Sequence, residues 1–277
     1  MEFTKMSGAG NDFIVVDNRF YSFTHEELSG FATQFCRRRE GIGADGLLAL
    51  SNPASDSADY KMTYYNADGS LGTMCGNGAR CLAKFARNAG LESEPLVFDS
   101  DAGIYSASVE PDSDDVRLFV PAPQRYVESI ELETNLPEGA SKPHFIWTGT
   151  EHIVIFVDDV EHINVLRIGR MIRKDPALAP AGSNVNFVEI EGEVEGAQSL
   201  KVRTFEKGVE DETLACGTGA LAASLVSALT GKSDATRYAV RMKGGTLFVG
   251  WRGASSAPKD LYLEGAAEVI FRGTLEL

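Results

Sequence analysis

The chain has 277 residues, 43% hydrophobic and 24% charged, which is typical of globular proteins. Its formal net charge of −14 argues against a nucleic-acid partner and against an anionic membrane surface, because both need a basic face. The length predicts about two domains or one large one. A chain of this size can bury a core without disulfides or metals.

Neither a membrane span nor a signal peptide is predicted. The chain has no run of about 18 apolar residues, and its first residues contain no apolar signal-peptide core. We therefore expect its four cysteines to be reduced thiols in the cytoplasm. They form no C-x-x-C pair, so no metal site is expected.

The first half predicts short strands and two helices. The segments NDFIVVDN, DGLLAL and YKMTYYN are apolar, rich in β-branched or aromatic residues and bounded by turn formers, as strands usually are. The segment THEELSGFATQFCRRR has helical spacing, and Thr24 and Glu27 fit a capping box. The segment RCLAKFARNAG predicts a helix closed by glycine, before strands at PLVFDS and VRLFVPAP.

The second half has a similar pattern. Two strands are predicted in HFIWTGTEHIVIFVDD, and a helix that ends at proline is predicted in VEHINVLRIGRMIRKDP. Short strands are predicted in NFVEIEG, LKVRTFEKG, YAVRMKGGTLFVGWRG, DLYLEG and AEVIFRG. Between them, GALAASLVSALTG has almost no charge, which indicates a helix buried nearly all round. The chain is therefore predicted to be an α+β protein of two similar halves.

Two motifs that resemble nucleotide-binding loops fail on context. GIGADG, at Gly41–Gly46, matches G-x-G-x-x-G, but a helix precedes it and a strand follows, the reverse of the dinucleotide fingerprint. TGKS, at Thr230–Ser233, resembles the end of a P-loop, but the first glycine of that motif would fall on Val226. Neither motif supports a nucleotide cofactor.

The sequence Cys-Gly-x-Gly-Ala occurs twice, beginning at Cys75 and at Cys216, each time before a predicted helix. The first turn of a helix favours a thiolate through its unpaired N–H groups and the positive end of the dipole. The glycines let a ligand approach the same N–H groups. One such element could be a nucleophile, a base or a carboxylate-binding nest. Two elements, one in each half, suggest two thiols facing each other across a small anion.

Two facing thiols suit the inversion of a carbon stereocentre. A thiolate removes a proton from one face, a thiol returns one to the other, and the helix N-termini stabilise the carboxylate as charge builds on it. The alternative is that Cys75 and Cys216 are buried small hydrophobic residues. That alternative is preferred for Cys36 and Cys81, which lie on helical faces without the glycine motif.

Three segments, in order, resemble signatures of the diaminopimelate epimerase family: MSGAGNDFIVVDN, NADGSLGTMCGNGAR and TFEKGVEDETLACGTGA. Proline racemase-like enzymes of the same superfamily typically have histidine where this chain has Asn77, and phenazine-biosynthesis-like members lack the cysteine pair. The resemblance implies an isomerase without a cofactor, usually a homodimer, that interconverts LL- and meso-2,6-diaminopimelate for lysine and peptidoglycan synthesis.

The resemblance also implies the fold and domains. Each of two pseudo-symmetric α+β domains would be a curved, mostly antiparallel, barrel-like sheet around a central apolar helix, with the active site in the cleft between the domains. We expect one domain to comprise residues 1–120 with 266–277 and contain Cys75. The other would comprise residues 121–265 and contain Cys216.

The resemblance assigns roles to individual residues. Cys75 and Cys216 would be the acid/base pair, and His152 and Glu206 would flank them, helping to set their protonation and binding ammonium groups. Backbone N–H groups for the reacting carboxylate would come from Gly76, Asn77, Gly217 and Thr218. The head that does not react would be bound by Asn11, Asn66 and Asn184, with Thr150 and Lys207 as further substrate-binding positions.

Each of these roles has a structural alternative. Asn66 opens an NADG turn, where asparagine is common for local reasons. Asn11 and Asn184 could equally be turn residues beside strands. His152 could be a satisfied core histidine, and Glu206 lies in a charged segment that would by default be a solvated loop.

The chain departs from the family pattern at four positions. Lys207 replaces an arginine and so lacks its bidentate fork. Thr150 and Glu151 replace an asparagine and a proline, and Gly46 stands where some members have glutamine. These changes leave open another cofactor-independent amino-acid racemase of this fold. A redox switch or binding module with a reversible Cys75–Cys216 disulfide is the alternative of another class.

Overall fold

The computed structural model describes residues 1–110 and 113–277. These residues divide into two compact units. Unit 1 comprises Met1–Phe119 and Glu264–Leu277, and unit 2 comprises Val120–Leu263. Each unit combines a mixed sheet with a few helices, so the predicted α+β class is confirmed. No helix in the described part of the chain has the length and apolar character needed to cross a membrane.

The strands are β1 (Glu2–Gly8), β2 (Asn11–Asp17), β3 (Gly46–Ser51), β4 (Tyr60–Asn66), β5 (Leu71–Gly72), β6 (Leu96–Ser100), β7 (Gly103–Val109), β8 (Asp115–Phe119), β9 (Gln124–Val127), β10 (His144–Trp147), β11 (Glu151–Phe156), β12 (Asn184–Val194), β13 (Ala197–Glu206), β14 (Asp211–Glu212), β15 (Arg237–Met242), β16 (Gly245–Arg252), β17 (Lys259–Ala266) and β18 (Glu268–Thr274). The α-helices are α1 (Asn18–Tyr21), α2 (His25–Phe35), α3 (Gly76–Asn88), α4 (Val165–Arg173) and α5 (Gly217–Leu229), and a 3₁₀ turn spans Pro176–Leu178.

The two units share one order of pairings. In unit 1, β1 pairs antiparallel with β2, β2 pairs parallel with β3 across α2, β3 pairs antiparallel with β4, and β4 pairs parallel with β6 across α3. In unit 2, β10 pairs antiparallel with β11, β11 parallel with β12 across α4, β12 antiparallel with β13, and β13 parallel with β15 across α5. The similar pattern of strands and helices predicted for the two halves therefore corresponds to a repeated topology.

Helices α3 and α5 occupy matching positions in this topology. Each is 13 residues long and begins directly after a cysteine. Helix α3 contacts β1, β2, β3, β4, β7 and β8, and α5 contacts β10, β11, β12, β13, β15 and β16. Nine consecutive residues of α5, from Gly219 to Ser227, are buried. The prediction of a helix buried nearly all round is confirmed, because strands of its own unit cover it on several sides.

Capping residues set the N-termini of α2 and α4. The capping box of α2 is present: Glu27 N–H donates to Thr24 Oγ1 at 3.3 Å, and Thr24 N–H donates to Glu27 Oε2 at 2.8 Å. The prediction that the helix in VEHINVLRIGRMIRKDP begins near Val160 was wrong. Helix α4 begins at Val165 because the Asn164 side chain accepts a hydrogen bond from Arg167 N–H and caps the helix there.

Candidate active site

Cys75 and Cys216 hold the same backbone position in their units. Each is the residue before the first turn of its helix, with φ −132° and ψ 115° at Cys75 and φ −131° and ψ 105° at Cys216. Their carbonyls accept hydrogen bonds from Ala79 N–H at 2.8 Å and from Ala220 N–H at 2.9 Å. Within the described chain, neither cysteine side chain makes a cap hydrogen bond. Each cysteine side chain therefore adjoins the first N–H groups of its helix.

The glycines after Cys216 are required by close packing. A Cβ at Gly219 would lie 2.5 Å from Asn186 Oδ1, and a Cβ at Gly217 would lie 2.7 Å from Leu263 Cδ2. Both distances are shorter than a side chain tolerates without a shift of its neighbours. The first turn of α5 thus lies directly against Asn186 on strand β12.

The surroundings of Cys216 contain further polar and sulfur contacts. Cys216 is 6% exposed. Its Sγ lies 3.5 Å from Thr218 Oγ1, and its N–H donates to Met242 Sδ at 3.4 Å. Thr148 Oγ1 donates to the Thr218 carbonyl at 2.9 Å, which joins the turn after β10 to the first turn of α5. In unit 1, Cys75 is half-buried.

Cys36 and Cys81 have a different environment. Both are buried, and burial raises the pKa of each thiol to about 12. Thiols with such pKa values stay protonated at neutral pH. The interpretation of these two cysteines as small hydrophobic residues fits this environment.

In unit 1, Asn77 and Asn11 belong to one hydrogen-bonded chain. Asn77 Nδ2 donates to Asn11 Oδ1 at 2.7 Å, and Asn11 Nδ2 donates to Asp45 Oδ2 at 2.9 Å. Arg80 is fully buried, and its Nη2 donates to Asn77 Oδ1 at 3.0 Å. Two residues predicted to bind substrate are therefore in contact, with Asn77 oriented by a buried guanidinium and Asn11 by the Asp45 carboxylate.

Asn66 lies in a separate local group at the end of β4. Its Oδ1 accepts from the Tyr64 hydroxyl at 2.8 Å, and its Nδ2 donates to Ser70 Oγ at 3.0 Å. The Tyr64 ring covers Gly46, where a Cβ would lie 2.6 Å from Tyr64 Cε2. The Tyr65 carbonyl oxygen would lie closer still, at 2.5 Å, so a glutamine at position 46 would need both the Tyr64 ring and the backbone of β4 to move. Asn66 has the turn contacts that its structural alternative predicts, with Tyr64 as an additional partner.

In unit 2, His152 is fully buried beside two asparagines. Asn186 is oriented by Thr204, whose Oγ1 donates to Asn186 Oδ1 at 2.9 Å, and by the Ile153 carbonyl, which accepts from Asn186 Nδ2 at 2.9 Å. The same Nδ2 lies 3.0 Å from His152 Nδ1. Asn184 Nδ2 lies 3.4 Å from His152 Nε2, so an amide nitrogen faces each ring nitrogen. Because an amide nitrogen only donates, these contacts favour the neutral ring, which keeps an acceptor nitrogen, over the imidazolium, which only donates.

Burial, with a smaller effect of the Lys207 charge, lowers the pKa of His152 to about 3. The His152 ring is thus neutral at neutral pH. In the unfolded chain its pKa returns to about 6.5, so the unfolded state binds a proton that the folded state does not. We expect the free energy of unfolding to fall as the pH is lowered from about 6.5 toward 3.

The stability of His152→Gln should depend less steeply on pH over this range, as measured by chemical denaturation at a series of pH values. His162, whose side chain is 86% exposed, provides the control. His162→Gln, which removes only an exposed contact with Asp159, should lose less of the slope than His152→Gln does. An unchanged slope in His152→Gln would contradict the assignment.

Four predicted residues of unit 2 meet near the ends of β11, β12 and β13. Lys207 N–H donates to Asn184 Oδ1 at 2.7 Å, and Asn184 lies opposite His152 in the β11–β12 pairing. Lys207 Nζ lies 2.5 Å from Glu151 Oε2, which also accepts from Thr150 Oγ1 at 3.1 Å.

Glu206, the residue before Lys207, ends β13 as Asn66 ends β4. Burial raises the pKa of the Glu206 carboxyl above its ordinary value. It is not the fully solvated loop residue of the structural alternative.

Sequence reasoning missed three residues of these clusters: Asn186, Arg80 and the pairing partner Glu151. Asn186 had a readable signal, because it lies two residues after Asn184 and a strand places such residues on one face. Arg80 follows Asn77 by three residues in a predicted helix, a spacing at which side chains meet. Within residues 1–110 and 113–277, no group of three or more His, Cys, Asp and Glu side chains is arranged to hold a metal ion.

Solved structures identify the fold class. A phenazine biosynthesis protein of the PhzF family from Bacillus anthracis matches with a TM-score of 0.74 and 15% identity, over 100% of this chain and 99% of that chain. A probable proline racemase from Agrobacterium radiobacter matches with a TM-score of 0.67 and 15% identity, over 100% of this chain and 93% of that one. At this identity the likeness establishes the fold alone. The chain has the fold shared by PhzF proteins and proline racemases.

The sequence comparisons are more specific. The family model described as diaminopimelate epimerase matches residues 3–121 and 144–270. A diaminopimelate epimerase of Chlorobaculum tepidum is 43% identical over 98% of this chain and 100% of its own length. Another, from Flavobacterium psychrophilum, is 36% identical over 99% of this chain and 100% of its own. The chain belongs to the diaminopimelate epimerase family.

Proposed function

We propose that the protein interconverts LL- and meso-2,6-diaminopimelate without a cofactor, with Cys75 and Cys216 as the acid/base pair. The carrying observation is the repeated arrangement of one cysteine before each buried helix, with matching backbone angles, in a chain of this family. This repeated arrangement supports a mechanism in which two equivalent thiol groups act on one carbon. The product would serve lysine and peptidoglycan synthesis.

The reaction needs one thiolate and one thiol. The thiolate takes the α-hydrogen as a proton, and the electron pair of the C–H bond delocalises into the carboxylate. The thiol on the opposite face then gives its proton to the carbon, which inverts the configuration. The cysteines have exchanged protonation states at the end, so the reverse reaction uses them in opposite roles.

The helix N-termini would stabilise the charged intermediate. Backbone N–H groups of the first turns, with the positive ends of the helix dipoles, favour an anion. We assign this role to Gly76, Asn77, Gly217 and Thr218. As the proton leaves, negative charge builds on the carboxylate. These fixed dipoles would stabilise that charge without rearrangement of solvent.

The remaining residues would bind the substrate heads. We assign the distal head to Asn11, Asn66, Asn184, Thr150 and Lys207. Near the cysteines, Glu206 would bind an ammonium group. His152 would take part in its neutral form, because burial lowers its pKa to about 3.

We also propose that the enzyme acts in the cytoplasm as a homodimer. A reducing compartment keeps thiols in the form that the acid/base cycle needs. The dimer rests on the family resemblance, and sedimentation equilibrium of the purified protein tests it directly.

The substrate is tested by hydrogen exchange. In deuterated water, the purified enzyme with reductant should introduce deuterium at the α-carbon of LL-diaminopimelate and form the meso epimer. A panel of ordinary amino acids should exchange much more slowly. Exchange with members of the panel but not with diaminopimelate would assign the chain to another amino-acid racemization reaction and refute the proposal.

A further inference from the structure

Two positions at which this chain departs from the family pattern lie in contact. Glu151 stands where the family commonly has proline, and Lys207 where it usually has arginine. Their side chains form an ion pair with Nζ and Oε2 2.5 Å apart. Thr150, a third departure, donates to the same carboxylate oxygen at 3.1 Å. Three changes scattered along the sequence thus form one hydrogen-bonded group.

This group adjoins a residue assigned to the distal head. Lys207 N–H donates to Asn184 Oδ1 at 2.7 Å, which fixes the lysine backbone beside the asparagine amide. The side chains of Lys207 and Glu151 are 25% and 28% exposed. They are therefore partly shielded from water and still accessible to a ligand.

The Glu151 carboxyl is ionised at neutral pH. Burial raises the pKa of the Glu151 carboxyl. The hydrogen bond from Lys207, the bond from the backbone N–H of Glu151, the lysine charge and the bond from Thr150 together outweigh burial, so the pKa lies below its ordinary value. The group presents one positive and one negative charge side by side. Its net charge is zero, so it does not attract a simple anion as an unpaired lysine would.

We propose that Glu151 and Lys207 together form the subsite for the distal amino-acid head, with Glu151 facing its ammonium and Lys207 facing its carboxylate. This inference rests on the proposed function and makes Glu151 a specificity-determining residue. The lone charge of Lys207 cannot reproduce the fork of an arginine. A neighbouring carboxylate supplies the second recognition element. The ammonium and the carboxylate of the substrate head can then each face the member of the ion pair that has the opposite charge.

Both side chains have the capacity to bind substrate while paired. An ammonium carries three N–H donors, and the bond to Glu151 occupies one. A carboxylate has about four acceptor positions. Lys207, Thr150 and the backbone N–H of Glu151 itself occupy three of them, which leaves one for a ligand. The pair can therefore remain intact and hold both charges of the substrate head in a fixed orientation.

Two probes separate the two contacts. L-lysine is LL-diaminopimelate without the distal carboxylate, and L-2-aminopimelate is the same molecule without the distal ammonium. Each is tested as a competitive inhibitor of deuterium exchange into LL-diaminopimelate. Glu151→Gln should raise KM for LL-diaminopimelate and the inhibition constant of L-lysine by about tenfold, with kcat changed less. The inhibition constant of L-2-aminopimelate should stay the same or fall.

Lys207→Gln should give the opposite pattern. It should weaken the binding of L-2-aminopimelate and of LL-diaminopimelate by about tenfold and affect the binding of L-lysine less. Glu161→Gln is the matched control, because Glu161 also pairs with a lysine, Lys201, at 2.9 Å in the same unit. Its KM and both inhibition constants should equal those of the unsubstituted protein.

The outcomes distinguish the two levels of the hypothesis. If the unsubstituted enzyme does not exchange LL-diaminopimelate, the proposed function fails and the subsite fails with it. If that enzyme is active and Glu151→Gln weakens both probes equally, Glu151 only supports the local structure. If the variant leaves every constant unchanged, Glu151 has no part in binding. Either of the last two results overturns the inference and leaves the proposed function intact.

Discussion

Replacing either Cys75 or Cys216 with serine is expected to reduce inversion of LL-diaminopimelate by at least about 10²- to 10⁴-fold, the usual contribution of a positioned acid or base. A serine hydroxyl is a far weaker acid than a thiol, so it neither becomes the base nor efficiently donates the proton. The assay follows formation of the meso epimer by chiral separation and α-deuterium incorporation by NMR.

In each single variant, formation of the meso epimer should be lost to a greater extent than α-deuterium incorporation. In the proposed mechanism, the remaining cysteine would face one side of the α-carbon and could remove the hydrogen there. Deuterium can then enter one of the two epimers with retention of configuration, although inversion is lost. Full turnover in Cys75→Ser would refute the two-base mechanism.

Cys36→Ala and Cys81→Ala are the matched controls. Burial raises the pKa of both thiols to about 12, so neither supplies a thiolate at neutral pH. Both variants should retain the inversion rate. Reductant should be required for full activity of the unsubstituted enzyme. Full activity of a protein with a stable Cys75–Cys216 disulfide would also contradict the mechanism.

Gly219→Ala is expected to lower kcat/KM by roughly 10- to 100-fold. Its new Cβ would lie 2.5 Å from Asn186 Oδ1 and 3.3 Å from Cys216 Sγ, so the first turn of α5 or the asparagine must move. Asn186 also bonds His152, so the shift reaches two parts of the site. A displacement of about 1 Å can cost about 100-fold in rate. Steady-state deuterium exchange measures the effect.

Gly30→Ala is the control for this substitution. Gly30 lies within α2, and a Cβ there meets no atom within 4 Å. Alanine in a helix interior is favoured over glycine by about 1 kcal/mol. This variant should keep full activity and raise the free energy of unfolding in urea by about that amount. Equal activity in Gly219→Ala and Gly30→Ala would show that the close contact with Asn186 is not needed for catalysis.

The features that sequence analysis predicted well depend on neighbouring residues along the chain. The capping box of Thr24 and Glu27 closes within one turn, and the absence of charge in α5 is readable from its composition. The position of Cys75 and Cys216 before a helix follows from Cys-Gly-x-Gly-Ala and the apolar periodicity after it. Even the error at α4 was local, because the Asn164 cap was overlooked.

Partners in the site depend on contacts between distant segments. The Glu151–Lys207 pair joins residues 56 positions apart, and the Thr204–Asn186 bond crosses two strands whose register sequence does not specify. The same holds for the protonation of His152, since its pKa reflects burial by the whole of unit 2.

The sequence by itself determined the class of fold, the family and the two cysteine helices, because helix signals, turn formers and motif residues act over a few positions. Only the tertiary structure decided which side chains surround them. The pairing of β11, β12 and β13 aligns His152 with Asn184 and Asn186 with Thr204, and it brings Lys207 to Glu151. Strand register and burial belong to the folded unit, and they set the hydrogen-bond partners and charge states on which the proposed chemistry depends.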